Sequence, residues 1–221
     1  MTAKVILFDF DGTVADTYQA IANITNQLST EFGYKALDSE ELLLIKNLSS
    51  REIVQRSEIS LFKLPFLVRR IRLELSKEIA ELEPIVDINQ ALLNLKNQGY
   101  VLGIVTSNHQ DNVEIFLAKN KLNHLFRYIY SSTGIFGKHR VINQAIKEHA
   151  LNKSEVIYVG DETRDIRSAR KSRIPVIAVS WGFNSAQILA EYQPDYVVNN
   201  PSELLDAIAL WQSQRAKTTV N

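Results

Sequence analysis

Residues 1–18 read MTAKVILFDFDGTVADTY, and the change from apolar to acidic inside this stretch decides the fold. The run Val5-Ile6-Leu7-Phe8 reads as a strand, and it stops at two carboxylates spaced two apart, Asp9 and Asp11. Residues i and i+2 of a strand point the same way, so a strand end can aim both carboxylates at one spot. Gly12 permits a sharp backbone exit. Such an end suits a cation or a reaction. The plain alternative is a strand followed by an acidic turn.

Outward from this stretch, short apolar runs alternate with helical patterns. Strands are expected at Lys4–Phe8, Tyr100–Val105, Tyr128–Ser131, Val156–Val159, Pro175–Val179 and Tyr196–Val198. Helices are expected over 88–98, 110–120, 139–150, 164–172, 185–191 and 202–213. This alternation predicts an α/β fold with a parallel sheet covered on both faces. Gly99 fits a helix C-cap. Asn200-Pro201-Ser202-Glu203 reads as N-cap, proline at N1 and glutamate at N3. The polar end from Gln212 is expected to fray, with 216–221 as a tail.

One stretch breaks the rhythm. Between Asp16 and Glu83 there are helix signals and no convincing strand. Asp38-Ser39-Glu40-Glu41 and Ser49-Ser50-Arg51-Glu52 both read as capping boxes. Phe66–Glu81 is amphipathic, with Pro65 placed for its first turn and Pro84 just beyond its end. The expected organisation is an α/β core of residues 1–15 and 84–215, interrupted by an all-helical cap over 16–83.

Composition narrows the partners. The 221 residues are 45% hydrophobic and carry 25 basic and 25 acidic side chains, so net charge is zero. Nothing in that balance points to nucleic acid or an acidic membrane. There is no cysteine, hence no disulfide framework and no thiol chemistry. No stretch reaches the ~18 apolar residues of a membrane span. With no apolar leader visible, a cytoplasmic protein is expected. Oligomeric state stays open.

Three expected strands end in polar groups. The first ends at Asp9, the second at Thr106-Ser107-Asn108, and the fourth at Gly160-Asp161 with Asp165 four residues on. Ligands of open parallel sheets bind outside the carboxyl ends of the strands, at a topological switch point. The three ends converge if these strands are neighbours.

DFDGTVADT resembles motif I of the haloacid dehalogenase-like hydrolases, Asp-x-Asp-Gly-Thr-[Val/Leu]-x-Asp-[Ser/Thr], through Asp9, Asp11, Gly12, Thr13, Val14, Asp16 and Thr17. Thr106 stands where motif II has its Ser or Thr. Gly160-Asp161-Glu162-Thr163-Arg164-Asp165 resembles motif IV, and Lys138, lying between these two, is the candidate for the motif III lysine. His139 follows it where many relatives have proline. Ser180-Trp181-Gly182-Phe183-Asn184 and Pro194-Asp195-Tyr196-Val197 resemble phosphoglycolate-phosphatase-like members. The helical stretch matches the cap these proteins insert after motif I.

The resemblance implies a Rossmann-like three-layer core and a Mg2+-dependent phosphatase of a small phosphorylated metabolite. Magnesium prefers oxygen ligands. The implied set is Asp9, the Asp11 backbone carbonyl, Asp161 and Asp165. Asp9 is implied to attack phosphorus and form an aspartyl-phosphate, and Asp11 to act as acid and then base. Thr106, Ser107, Asn108 and Lys138 are implied to hold the phosphate oxygens. Asp11 separates this chain from the dehalogenases and phosphonoacetaldehyde hydrolases of the superfamily, which lack that carboxylate.

Other readings remain in play at this level. β-Phosphoglucomutases share these motifs, and a non-catalytic module on the same fold is a third class. Lys46, Asn47 and Arg70 of the cap are candidates for substrate selection, although Arg69, Arg70 and Arg72 also fit a solvated face. Typical phosphoglycolate phosphatases have a glycine near Asn47, so the substrate stays open. His109, His124, His139 and His149 lack ligand-like spacing.

Overall fold

A computed structural model describes residues 4–57, 59–131 and 137–218, with side chains as far as residue 214. The chain begins with β1 (Val5–Phe8) and then runs through five helices: α1 (Tyr18–Gln27), α2 (Ser29–Phe32), α3 (Ser39–Ile45), α4 (Ser50–Arg56) and α5 (Leu64–Glu78). From α6 (Ile88–Asn97) strands and helices alternate: β2 (Val101–Thr106), α7 (Gln110–Lys119), β3 (Phe126–Ser131), α8 (Lys138–Glu148), β4 (Val156–Gly160), α9 (Thr163–Ser172), β5 (Val176–Val179), α10 (Ala186–Glu191), β6 (Tyr196–Val198) and α11 (Leu204–Thr218).

The six strands form one parallel sheet in the order β3-β2-β1-β4-β5-β6. The acidic strand is therefore central, with Phe8 in register with Ile104 of β2 and Val159 of β4. The period of two sorts β1 onto two buried faces. Ile6 and Phe8 join a core with Leu92 of α6, Phe116 of α7 and Ile208 of α11. Val5 and Leu7 join another with Ile142 of α8, Ile166 of α9 and Leu189 of α10. Helices thus cover both faces, which gives the expected three layers.

All six strands lie where the apolar runs placed them, with β3 starting two residues early at Phe126. Both capping boxes form: Asp38 accepts from Glu41 N and Ser49 from Glu52 N. Pro65 sits in the first turn of α5. At the C-terminus Asn200 and Pro201 open a 3-10 turn rather than the α-helix itself. The α11 helix then runs to Thr218, beyond the expected end near 213; residues 219–221 lie outside the described residues.

The helical insert has a hydrophobic cluster of its own, built from Ala20, Ile24, Leu28, Leu67 and Leu75. Its two connections pair with each other, since Asp16 N donates to Glu83 O (3.0 Å) and Ile85 N to Val14 O (3.0 Å). The insert therefore leaves and rejoins the core through one narrow neck beside the end of β1.

Candidate active site

Asp9 continues the parity of Val5 and Leu7, so it points to the α8–α9 side of the sheet. There Lys138 Nζ, at the first residue of α8, lies 2.5 Å from Asp9 Oδ2 and 2.5 Å from Asp165 Oδ1. The other Asp9 oxygen accepts from Phe10 N (2.8 Å). Asp165 Oδ2 accepts from Glu162 N (3.0 Å), which closes the N-terminus of α9. Asp161, just after β4, accepts from Thr13 Oγ1 (2.8 Å) and from Phe183 N (2.7 Å). Ligand oxygens of Asp9, Asp161 and Asp165 all lie within 4.8 Å of one another, and all three residues are buried.

That crowding has an electrostatic signature. Burial raises the Asp9 pKa to about 7; Lys138 opposes the rise and Asp165 adds to it. Burial raises Asp161 well above its usual range, with Glu162, Asp165 and Asp9 reinforcing the shift. Burial pulls the Lys138 pKa down, yet Asp165 and Asp9 outweigh it and hold it up at about 12. Lys138 pairs with Asp9 and Asp165, and Asp161 has no cationic partner within hydrogen-bond reach among the described residues. The donors are all oxygen, with no His or Cys in the cluster, so the set suits a hard cation of the magnesium type.

Asp11 is turned away from this cluster. Gly12 has φ of 72°, and a side chain there would run into Asp161 and the Phe183 ring. With the chain reversed at that point, Asp11 faces Asn108, whose Nδ2 donates to both its oxygens (3.1 and 3.2 Å). Burial raises the Asp11 pKa against the pull of Asn108. Thr106, at the end of β2, is buried and accepts from Asn108 N (3.0 Å). Ser107 is half-buried between them. The second and fourth strand ends thus flank Asp9 on either side, as the sheet order requires.

The family model of haloacid dehalogenase-like hydrolases matches residues 6–179. The chain belongs to this family. It is 34% identical over 205 residues to a phosphoglycolate phosphatase of Synechococcus elongatus, covering 93% of this chain and 97% of the relative. A pyrophosphatase of Bacillus mycoides is 25% identical over 215 residues, covering 95% and 98%. A haloacid dehalogenase-like hydrolase structure from Streptococcus pneumoniae superposes with a TM-score of 0.76 at 28% identity, covering 92% and 97%. A structure from Clostridium acetobutylicum, at 24% identity and a TM-score of 0.81, shares the fold.

In this haloacid dehalogenase-like hydrolase the insert lies against the site through its α3–α4 loop. Lys46 Nζ sits 4.1 Å above the Tyr18 ring and donates to Gly182 O (3.1 Å). Asn47 Oδ1 accepts from Ser185 Oγ (2.5 Å). Arg70 is elsewhere, in an exposed ion pair with Glu74 (2.5 Å) and facing Glu31 (3.7 Å). Its neighbour Arg72 faces the site instead. It shares a helix face with Ser76, which accepts from Asn112 Nδ2 (3.0 Å), and Asn112 in turn donates to Asn108 (2.8 Å), the partner of Asp11. Burial and the charge of Arg164 lower the Arg72 pKa, and Asp11 raises it.

Two residues near the site, Arg164 and Arg72, lie outside the set that the sequence singles out. Arg164 lies inside the quoted Gly160–Asp165 motif, ion-paired to Glu162 with its Nε buried. Arg72 was grouped with its neighbours, and only helical phase relative to Ser76 separates it from Arg70. Asn108, expected beside the phosphate, donates its side-chain amide to Asp11 (3.1 Å).

Proposed function

We propose that this enzyme hydrolyses a small phosphorylated metabolite through an aspartyl-phosphate on Asp9, with Mg2+ held by Asp9, Asp161, Asp165 and the Asp11 backbone carbonyl. The observation that carries this is three buried carboxylates within 4.8 Å of one another, Asp9 and Asp161 after the ends of β1 and β4 and Asp165 in the first turn of α9, of which Lys138 pairs with Asp9 and Asp165. Bound magnesium would screen the nucleophile from an anionic ester and polarise the phosphoryl oxygens.

The chain's own residues supply the rest. The Phe10 amide and Lys138 fix the Asp9 carboxylate, leaving it positioned for in-line attack. Asp11, whose pKa burial raises, hands its proton to the departing alcohol oxygen and then takes one from the hydrolytic water. Thr106, Ser107 and Lys138 stabilise the transferring phosphoryl oxygens. The insert covers the site and excludes water.

Arg72 and Arg164 beside Asp11 favour a leaving group that bears its own acid. Phosphoglycolate and pyrophosphate, for which the two relatives are named, both have this character. The test is phosphate release from a panel of esters, with and without chelator. Metal-dependent release, fastest for acid-bearing esters, is expected; release from every ester at full rate in excess chelator overturns the reading.

A further inference from the structure

We propose that Asn184 is a positioning residue that makes docking of the helical insert and orientation of Asp161 a single event. The proposal rests on Asp161 being a metal ligand. Asn184 is 97% buried by its neighbours, at 3% exposure, and stands where the α3–α4 loop meets the start of α9. Its Nδ2 donates to two carbonyls of the insert, Leu48 O (3.0 Å) and Lys46 O (3.3 Å). Its Oδ1 accepts from Thr163 N (3.0 Å), the first amide of α9. A backbone amide can only donate and a carbonyl can only accept, so this arrangement fixes the amide orientation.

On its core side, Asn184 belongs to the strap that holds Asp161. Its own amide donates to Asp161 O (3.3 Å), and the preceding amide, Phe183 N, donates to Asp161 Oδ2 (2.7 Å). A side chain at Gly182 would run into the Asp161 carboxylate and the Gly12 carbonyl, so the strap approaches closely only because residue 182 is glycine. Every polar group of the Asn184 side chain is thus used, the donors on the insert and the acceptor on α9. Lifting the loop leaves a buried amide without acceptors and frees the strap that aims Asp161. Linkage then requires the reverse: a cation bound through Asp161 tightens the loop.

The experiment is hydrogen exchange over residues 44–50 in the full chain, with and without Mg2+, together with calorimetric Mg2+ binding in the absence of substrate. In wild type, Mg2+ should slow exchange in this segment. Asn184→Ala retains the bond from Ser185 N to Lys46 O (2.9 Å), so the loop stays tethered. It keeps the two backbone bonds to Asp161 but releases the strap that carries them from the insert and from α9, so Mg2+ binding should weaken about 10-fold, the lower end of the effect of disturbing groups that orient a metal ligand, and Mg2+ should no longer protect the loop. Ser50→Ala is the control, because it removes an independent contact between insert and core, Ser50 Oγ to Glu162 (3.0 Å). It should leave Mg2+ affinity unchanged.

Protection by Mg2+ that persists in Asn184→Ala overturns the proposal, as does equal weakening in Ser50→Ala. The wild-type arm needs no variant: Mg2+ that binds without slowing exchange in the loop contradicts the coupling alone. Mg2+ that fails to bind wild type at all removes the metal reading beneath it.

Discussion

The ammonium of Lys138 lies 2.5 Å from Asp9 Oδ2, and it spans from that oxygen to Asp165, so the α8 N-terminus supplies the cation that the end of β1 lacks. Removing it leaves buried carboxylates facing one another. Lys138→Met should lower the stability of the metal-free protein by about 3–5 kcal/mol, the usual cost of breaking a buried pair from one side. Activity should fall about 100-fold or more, the loss expected if Lys138 stabilises the phosphoryl oxygens as proposed. Denaturant unfolding and kcat measurements check both, and a variant as stable and active as wild type would mean the lysine is a bystander.

The carboxylate cluster sets a pH dependence. Folding raises the Asp9 pKa from 3.8 to about 7, so the folded state holds this proton more tightly. Its stabilising contribution is complete below 3.8 and is lost as pH climbs through about 7. The metal-free protein should therefore lose stability from this source as pH climbs from 3.8 to about 7. Cations compete with the same protons, so Mg2+ should raise Tm more at alkaline than at acidic pH. Melting curves on either side of neutrality, with and without Mg2+, test this. A larger Mg2+ shift on the acidic side contradicts it.

Asn108 tunes Asp11. Its two bonds to the carboxylate, 3.1 and 3.2 Å, favour the ionised form. Asn108→Ala should raise the Asp11 pKa further. With Asp11 as the proposed proton donor of the first step, the alkaline limb of the kcat/KM profile should move to higher pH. An unmoved limb would assign the acid elsewhere.

Two arginines two residues apart should behave differently. Arg70 pairs with Glu74 on an exposed face, and Arg72 borders the site near Asp11. Arg72→Ala should raise KM for acid-bearing esters about 10-fold, corresponding to roughly 1.4 kcal/mol, and leave a neutral-leaving-group ester unchanged. Arg70→Ala should change neither. Identical effects of the two substitutions would remove Arg72 as a selector.

The core was legible because its signals are local. Apolar runs three to six residues long, the two capping boxes and Asp9 at a strand end each follow from neighbours in sequence. Convergence of Asp9, Thr106 and Asp161 could be stated only conditionally, since it depends on β2 and β4 flanking β1. What sequence could not supply is which atoms long polar side chains reach. Arg70 and Arg72 look alike as residues, and a rotation of about 200° around the helix separates them. Asn108 and Asn184 owe their roles to partners 97 and more than 130 residues distant.

In the proposed reaction Asp9 carries the phosphoryl group. Rapid quenching during turnover, followed by mass-spectrometric mapping of the phosphorylated chain, tests it most directly. The account predicts phosphate on Asp9, absent in Asp9→Asn. Phosphate on another residue, or turnover by Asp9→Asn near the wild-type rate, would contradict it.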